Sequence, residues 1–446
     1  MASTKLTRTP STTTAVDAWT FSVWLKRSST GTSHDICSGR NNTDGGNNQS
    51  TFSFDANDNL YFDVYNGGII VVKFITNRKF RDLNAWYNIV LDFDSSTAGA
   101  RSAADRMKVW VNGIRETSFS TEVQSGADQE TNFCQQNDCP IGIGATASPG
   151  RTATYNGLMS HINYVAGVGH PASYFGETDA TTGIWKPKTS PSVTYGTNGF
   201  FLKFENLADM DFDSSPNNLT FSTSGNLTQT VDTPSNVFAT LNPLTKNSSD
   251  TLANGNTKFT ATSGAGYSNA LSTLGFDTGK WYAEAKISNA STYYPVVGIA
   301  SSEASGNYGS PTSTGFIGST TGSVGLFMHG DIQIDGSGGS PAPASYTTND
   351  IVGLAVDLDS ATKTLKLYKN GTLDQTYTIT APLGFYHFGV SGGGPTSDAV
   401  EWNFGNGYFG TTAVSSAGSN GNGAIFEFDC PSGYYALNTK NINTYG

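Results

Sequence analysis

Apolar and polar residues alternate in short runs along most of the chain, and turn-forming residues separate the runs. In residues 18–28, for example, Trp19, Phe21, Val23 and Leu25 occupy every second position. Because successive side chains of a β-strand point to opposite faces, this spacing predicts a half-buried strand. Helical spacing is nearly absent, so the pattern predicts an all-β protein.

Similar runs recur on both sides of a central segment that lacks them. In the first half, further strands are predicted in TFSFDANDNLYFDVY, AWYNIVLDFDSS, RMKVWVNGIRET, YNGLMSHINYV and NGFFLKFEN. In the second half, they are predicted in GKWYAEAKIS, YYPVVGIAS, GSVGLFMHG, DIVGLAVDLDS, KTLKLYKNG, TLDQTYTI, YHFGVSG and AVEWNFGN. Four tryptophans alternate with apolar strand residues and are expected in cores: Trp19, Trp24, Trp86 and Trp281.

The change in pattern predicts the domain organisation. Residues 1–206 form one predicted sandwich, and residues 251–428 form the other. Residues 207–250 are rich in Asn, Ser, Thr and Pro and show little alternation, so we expect a connector that lies on the surface. Residues 429–446 are predicted to be irregular.

A short phrase occurs once in each half: KVWVNG at residues 108–113 and KLYKNG at residues 366–371. In both places a strand, an Asp-x-Asp turn and a second strand come before the Asn-Gly pair. Asn-Gly suits a type I′ turn, in which both central residues need a positive φ. The repeat therefore indicates a shared piece of scaffold, and we do not expect Asn112 or Asn370 to contact a ligand.

Composition and charge narrow the range of partners and compartments. The 446 residues carry a net charge of −11 and no basic stripe, so we expect no nucleic-acid binding. The first residues have no apolar core and predict no secretory signal, and no apolar stretch is long enough to span a bilayer. The four cysteines are expected to be free thiols, with a Cys134–Cys139 bond as the alternative.

Several phrases resemble known families. WTFSVWLKRSS, AWYNIVLDFD, MKVWVNGI and YNGLMSHINYVAGVGHPASYFG resemble laminin-G-like, concanavalin A-like domains. GKWYAEAKI, VVGIASSE, DIVGLAVDLDSATKTLKLYKNG and AVEWNFGN resemble a SPRY (B30.2-like) domain. The resemblance implies two antiparallel jelly-roll β-sandwiches, concanavalin A-like and then SPRY-like, joined by an irregular connector.

A third resemblance concerns function. FGETDATTGIWKPK, YGTNGFFLKF, DTPSNVFATLNPL and CPSGYYALNT are similar to phrases in structural proteins of marine bacteriophages. This implies a virion component on the particle exterior, as a fibre, tail or head-decoration protein made in the host cytoplasm. It also implies other virion proteins as partners and a symmetric homo-oligomer, with a trimer preferred. Two alternatives are a lectin-like, glycan-active secreted or surface enzyme and a capsid-stabilising protein without a ligand.

The carboxylates do not follow the pattern of a glycoside hydrolase. Glucanases of the concanavalin A-like fold place their acids on one strand as Glu-x-Asp-x-Glu, and that string is absent. The Asp-x-Asp pairs lie near predicted strand ends, where acidic residues form turns: Asp92 with Asp94, Asp211 with Asp213 and Asp357 with Asp359. We therefore expect no enzyme.

One polar loop is a candidate calcium site. Laminin-G-like folds often hold Ca²⁺ at one rim, and residues 38–50 supply the oxygen-bearing side chains Asn41, Asn42, Asp44 and Asn47. The alternative, which we favour, is a solvated loop without metal. No other cofactor is expected.

Aromatic side chains near predicted loops are candidates for binding a host-surface glycan. They are Tyr155, Tyr293, Tyr294, Tyr308 and His329. SPRY domains bind partners through loops at one end of the sandwich, which here include residues 304–314. For each of these side chains, packing against a core is the alternative.

Overall fold

The structure of the protein is a computed structural model. It describes residues 4–14, 16–41, 43–44, 46–146, 153–262, 267–290, 294–306, 308, 315–380, 383–393, 397–415, 418 and 422–446. The chain divides into two compact units, Met1–Gln229 (unit 1) and Thr230–Gly446 (unit 2). The division falls inside the segment predicted as a connector, so residues 207–229 belong to unit 1 and residues 230–250 to unit 2.

Unit 1 is built from short and medium-length strands. They are β1 (Lys5–Arg8), β2 (Ala18–Arg27), β3 (His34–Arg40), β4 (Gln49–Phe54), β5 (Asn59–Asn66), β6 (Ile69–Lys79), β7 (Trp86–Asp94), β8 (Met107–Val111), β9 (Ile114–Glu116), β10 (Phe119–Val123), β11 (Ile141–Ile143), β12 (Gly157–Ala166), β13 (Gly176–Thr178), β14 (Trp185–Pro187), β15 (Phe200–Leu202) and β16 (Ser222–Ser224). Two single-turn 3₁₀ helices lie at Ala103–Asp105 and Ala172–Tyr174.

The strands of unit 1 form an antiparallel sandwich. One sheet has the order β10-β6-β5-β4-β3-β11-β1-β16, the other has the order β15-β12-β2-β7-β8-β9, and β13 pairs with β14. Inward-facing residues of both large sheets share one core, which includes Trp19, Phe21, Phe52, Phe62 and Phe133. Leu219 and Phe221, from residues 207–229, pack against this core.

Unit 2 repeats this architecture with different strand lengths. Its strands are β17 (Thr251–Ala253), β18 (Lys258–Thr260), β19 (Ser268–Leu271), β20 (Lys280–Asn289), β21 (Val296–Ser301), β22 (Ser323–Phe327), β23 (Ile332–Ile334), β24 (Ser337–Gly338), β25 (Ile351–Asp357), β26 (Thr364–Lys369), β27 (Thr372–Thr378), β28 (Tyr386–Gly392), β29 (Ala399–Asn403), β30 (Tyr408–Phe409), β31 (Thr412–Ala413) and β32 (Tyr435–Ala436). The helix α1 (Thr439–Tyr445) follows, within the segment predicted to be irregular.

The strands of unit 2 also form two facing sheets. One has the order β17-β18-β29-β20-β25-β26-β27, with β32 added parallel to β20, and the other has the order β19-β28-β21-β22-β23-β24. Trp281, Trp402 and Phe388 lie in the core between the sheets. The predicted fold class, all-β with two antiparallel sandwiches, is therefore confirmed.

Two segments cover outer sheet faces of unit 2. Tyr282, on the outer side of β20, packs with Phe238, Phe426, Tyr434 and other residues in a second cluster. On the other sheet, Ile317 and Tyr308 pack with Leu271, Ala300 and Ala304. This second cover is possible because glycines leave room for it: a Cβ on Gly389 would lie 2.8 Å from Cδ1 of Ile317.

The predicted core tryptophans and free thiols are confirmed. Trp19, Trp24, Trp86 and Trp281 are at most 7% exposed. All four cysteines are free and buried, so Cys134 and Cys139 are not bonded. None of the helices in the described part of the chain has the length and hydropathy needed to cross a membrane.

Candidate binding site

Two of the side chains predicted to bind a ligand meet at one end of the six-stranded sheet of unit 2. Tyr294 lies just before β21, and His329 lies just after β22. These two strands are antiparallel neighbours in which Val296 pairs with Phe327. Continuing that register by two residues places Tyr294 opposite His329.

Three further aromatic residues complete an aromatic cluster. Ring centroids are 6.1 Å apart for Tyr294 and Tyr267, 5.3 Å for Tyr267 and Phe316, 5.0 Å for Phe316 and Phe327, and 6.0 Å for Phe327 and Tyr294. The His329 ring lies 5.6 Å from Phe327. The cluster is therefore a closed circuit of four rings with a histidine at its edge.

The loop that carries Phe316 is held in place by hydrogen bonds. The backbone N–H of Ile317 donates to Oγ of Ser391 over 2.9 Å, and Nδ2 of Asn269 donates to the carbonyl of Gly315 over 2.9 Å. These contacts connect the loop to β28 and β19. Phe316 is thus positioned by strands of the sheet that it covers.

The aromatic cluster is half open to solvent. Tyr267 is 38% exposed, Phe327 is 9% exposed, and Tyr294 and Phe316 are half-buried. Burial, together with the neighbouring Tyr267, raises the pKa of Tyr294 above its usual value, so its hydroxyl stays protonated at neutral pH. Nε2 of His329 lies 2.7 Å from Oδ2 of Asp331, whose side chain is 66% exposed. The surface thus combines apolar ring faces and edges with a few polar groups, as small-ligand sites do.

The other predicted binding residues lie elsewhere. Tyr308 is 1% exposed, and its hydroxyl contacts the hydroxyls of Ser319, Thr320 and Ser323 at 2.9, 2.9 and 3.2 Å. Its ring packs beneath the covering loop and offers no open face to a ligand. Tyr293 lies outside the described residues, as do residues 307 and 309–314 of the predicted binding loop.

Tyr155 belongs to unit 1. Its ring packs against the core of that unit, and its centroid lies 6.2 Å from that of His34 in an edge-to-face arrangement. The hydroxyl is buried and has no hydrogen-bond partner among the described residues. Tyr155 is therefore a half-buried residue that packs against the core of unit 1.

The candidate calcium residues organise their own loop. Oδ1 and Oδ2 of Asp44 accept the backbone N–H groups of Gly46, Asn47 and Asn48 at 2.9, 3.1 and 3.0 Å. Nδ2 of Asn41 donates to Asp138 over 2.6 Å, and Nδ2 of Asn47 donates to the carbonyl of Asp44 over 2.8 Å. Asn42 lies outside the described residues. Among the residues that are described, no three His, Cys, Asp or Glu side chains are grouped so that they could hold a metal.

The Asp-x-Asp pairs have structural partners in both units. Asp92 forms an ion pair with Arg101 at 2.7 Å, and Asp357 forms one with Lys280 at 2.8 Å. Asp213 accepts the backbone N–H groups of Phe201, Ser215 and Leu219. These carboxylates therefore hold turns and strands together.

Sequence reasoning missed Tyr267, Phe316 and Phe327. Tyr267 lies just before β19 and Phe327 ends β22, whereas Phe316 lies in the loop that covers the sheet. Aromatic residues in such places are a weak signal in a chain with 26 phenylalanines and 20 tyrosines. Only the strand order β19-β28-β21-β22 shows that these strand ends lie side by side.

Comparison with known proteins gives two results. Residues 2–165 match the profile of a family described as the concanavalin A-like lectin/glucanases superfamily. A search of curated protein sequences found no match.

Solved structures similar to the chain include SPRY domains. The SPRY domain of human HERC1 is 15% identical and is covered over 96% of its length by 36% of this chain, with a TM-score of 0.31. A second human SPRY domain is 15% identical, and the alignment covers 90% of that domain and 33% of this chain, with a TM-score of 0.27. Stonustoxin is 16% identical, and the alignment covers 27% of the stonustoxin chain and 37% of this chain, with a TM-score of 0.29.

Proposed function

We propose that this protein is a non-catalytic recognition protein whose aromatic cluster binds a carbohydrate on a cell surface. The half-open group of rings formed by Tyr267, Tyr294, Phe316 and Phe327, with His329 at its edge, supports this proposal. Aromatic faces pack well against the C–H faces of sugar rings, while the tyrosine hydroxyls and the His329–Asp331 pair can hydrogen-bond to sugar hydroxyls. Packing contacts hold the rings in place, so little conformational entropy is lost on binding.

We further propose that the protein stands on the exterior of a bacteriophage particle, as a fibre, tail or head-decoration component. The resemblance of several phrases to those of bacteriophage structural proteins supports this location. A symmetric oligomer, preferably a trimer, would present several weak sites together and raise the overall affinity by avidity. Light scattering on the purified chain should then give three times its mass of 47.1 kDa.

A glycan array followed by calorimetry tests the binding proposal. Tyr267→Ala removes an exposed ring and should weaken the binding of the best glycan about tenfold, the loss of about 1.4 kcal/mol. Phe385→Ala is a matched control, because Phe385 is also an exposed aromatic of unit 2, at 53%, and lies outside the cluster. Equal binding by both variants and the unmodified chain, or binding to no glycan at all, would reject the site.

The particle location needs a separate test. Cryo-electron microscopy of purified particles should show the two sandwiches on the outer surface. Their absence from the particle would reject the virion role and leave the binding proposal to be judged by the array. A protein that is present on the particle but binds no glycan, and whose deletion lowers particle stability without affecting adsorption, would favour the capsid-stabilising alternative.

A further inference from the structure

Two thiols that are far apart in the sequence meet inside unit 1. Sγ of Cys37 lies 3.8 Å from Sγ of Cys134, and the two residues are 97 positions apart. Both residues are fully buried. Cys139 lies much nearer to Cys134 in the sequence, yet its Sγ contacts Oε1 of Gln136 at 3.3 Å. Cys134 therefore lies next to Cys37, and not next to Cys139, which is its nearest cysteine in the sequence.

Strand pairing and a hydrogen bond hold the backbone on both sides of the two sulfur atoms. Cys37 is in β3, where it pairs with Phe52 of β4 on one side and Ile143 of β11 on the other. Cys134 follows Phe133, whose carbonyl accepts the hydroxyl of Tyr164 over 3.0 Å. A disulfide needs a sulfur–sulfur distance of about 2.05 Å, so side-chain rotation would have to bring the two atoms roughly 1.8 Å closer.

A positive charge acts on one thiol of the pair. Arg8, at the end of β1, interacts electrostatically with Cys134. Its Nη2 donates to Oδ1 of Asn198 over 3.3 Å, while its Nη1 is buried without a hydrogen-bond partner among the described residues. Burial, together with the neighbouring Cys37, raises the pKa of the Cys134 thiol well above its usual value, and the charge of Arg8 offsets only part of this rise. Cationic side chains near a cysteine favour the reactive thiolate.

We propose that Cys37 and Cys134 are a redox-sensitive pair, which a peroxide converts to a disulfide, and that Arg8 promotes the reaction. The minor thiolate form of Cys134 attacks the O–O bond of hydrogen peroxide and becomes a sulfenic acid, while the other oxygen leaves as hydroxide and takes up a proton to form water. The Cys37 sulfur then attacks the sulfenic sulfur, the S–S bond forms, and a second water leaves. Two thiols and one peroxide thus give one disulfide and two waters.

The bond would link β3 to the segment around Cys134 and close a long loop. Cross-links that close long loops restrict the unfolded chain strongly, so oxidation should stabilise unit 1. The four cysteines would respond differently, because Cys139 and Cys430 have no second thiol in contact. The thiol pair lies in unit 1, whereas the proposed carbohydrate site lies in unit 2.

The full-length protein treated with hydrogen peroxide tests the proposal. The mass should fall by that of two hydrogen atoms, the thiol count after denaturation should fall from four to two, and peptide mapping should show Cys37 linked to Cys134. The melting temperature of unit 1 should rise on the order of 5–10 °C and return after reduction. Four remaining thiols, or a map that links Cys134 to Cys139 or joins two chains, would overturn the proposal.

Variants separate the thiol pair from its charged neighbour. Cys37→Ser should abolish the rise in melting temperature, whereas Cys430→Ser, which removes a buried thiol from unit 2, should leave it intact. Arg8→Gln should slow oxidation several-fold near neutral pH. The difference in rate between this variant and the unmodified chain should shrink as the pH is raised, because thiolate formation then no longer limits the rate. Equal oxidation rates for Arg8→Gln and the unmodified chain at every pH would overturn the role of Arg8. If a cysteine variant fails to fold, the peptide map of the oxidised unmodified chain still shows whether Cys37 and Cys134 are linked.

Discussion

The side-chain oxygen of Asn112 accepts a hydrogen bond from the backbone N–H of Asn88 over 2.7 Å, and the N–H of Asn112 donates to the carbonyl of Asn88 over 2.9 Å. In unit 2, Asn370 makes the same two contacts with Ile351, at 2.8 and 2.9 Å. Both asparagines have a positive φ, 49° and 48°, and each is followed by a glycine with a positive φ. The repeated phrase is therefore a turn that also holds the first residues of the neighbouring antiparallel strand, β7 in unit 1 and β25 in unit 2.

Substitutions at Asn370 should separate the two roles of this residue. Asn370→Gly keeps the freedom to adopt a positive φ and loses the side-chain hydrogen bonds to Ile351 and Asp350, so unit 2 should lose on the order of 1–2 kcal/mol of unfolding free energy. Asn370→Ala loses the same bonds and also places a Cβ in the left-handed region, which should cost about 1–2 kcal/mol more. Denaturant unfolding measures both values. Equal stabilities of the two variants would contradict the turn conformation.

His34 should make unit 1 sensitive to acid. Burial, with the nearby Arg27 charge, lowers the pKa of His34 from 6.5 to about 4 in the folded protein. Its stabilising contribution is complete above pH 6.5 and is lost as the pH falls toward 4, because the unfolded chain then binds the proton more readily. The loss should approach about 3 kcal/mol. Thermal unfolding across this range should show a smaller acid-side decrease for His34→Gln, and identical profiles would contradict the assignment.

Glu284 should give unit 2 the opposite dependence. Burial raises its pKa from 4.5 to about 7, although its carboxylate accepts the backbone N–H groups of Glu427 and Phe428 at 2.8 and 2.9 Å. The folded state holds the proton more tightly, so the stabilising contribution is complete below pH 4.5 and is lost as the pH rises toward 7. The decrease should be about 3 kcal/mol. In Glu284→Gln this decrease should disappear, and a profile parallel to that of the unmodified chain would exclude Glu284 as its source.

The loop of Asp44 should fold without calcium. Its carboxylate already accepts three backbone N–H groups, so we expect no heat of Ca²⁺ binding and an unchanged melting temperature in chelator. Asp44→Ala should still lower the unfolding free energy of unit 1 by about 1–3 kcal/mol, because three donors lose their acceptor. A melting temperature that falls in chelator would instead favour the calcium site.

Some features could be predicted from the sequence because they depend on neighbouring residues. Alternation predicted the sandwiches and placed Trp19 and Trp281 in cores, and Asn-Gly predicted both turns. These features follow from the two-residue period of a strand and from the φ that each residue type tolerates. The sequence predicted only part of the aromatic cluster. Tyr294 and His329 were candidate binding residues, whereas Tyr267, Phe316 and Phe327 were not.

The sequence by itself determined the fold class and the core faces of the strands. Only the tertiary structure decided which strand ends meet, and so which aromatic residues share a surface. It also decided that Cys134 lies against Cys37 and that Tyr308 is buried beneath a covering loop. The physical reason is that strand order and sheet covering depend on contacts between residues tens to hundreds of positions apart, which a local pattern does not encode.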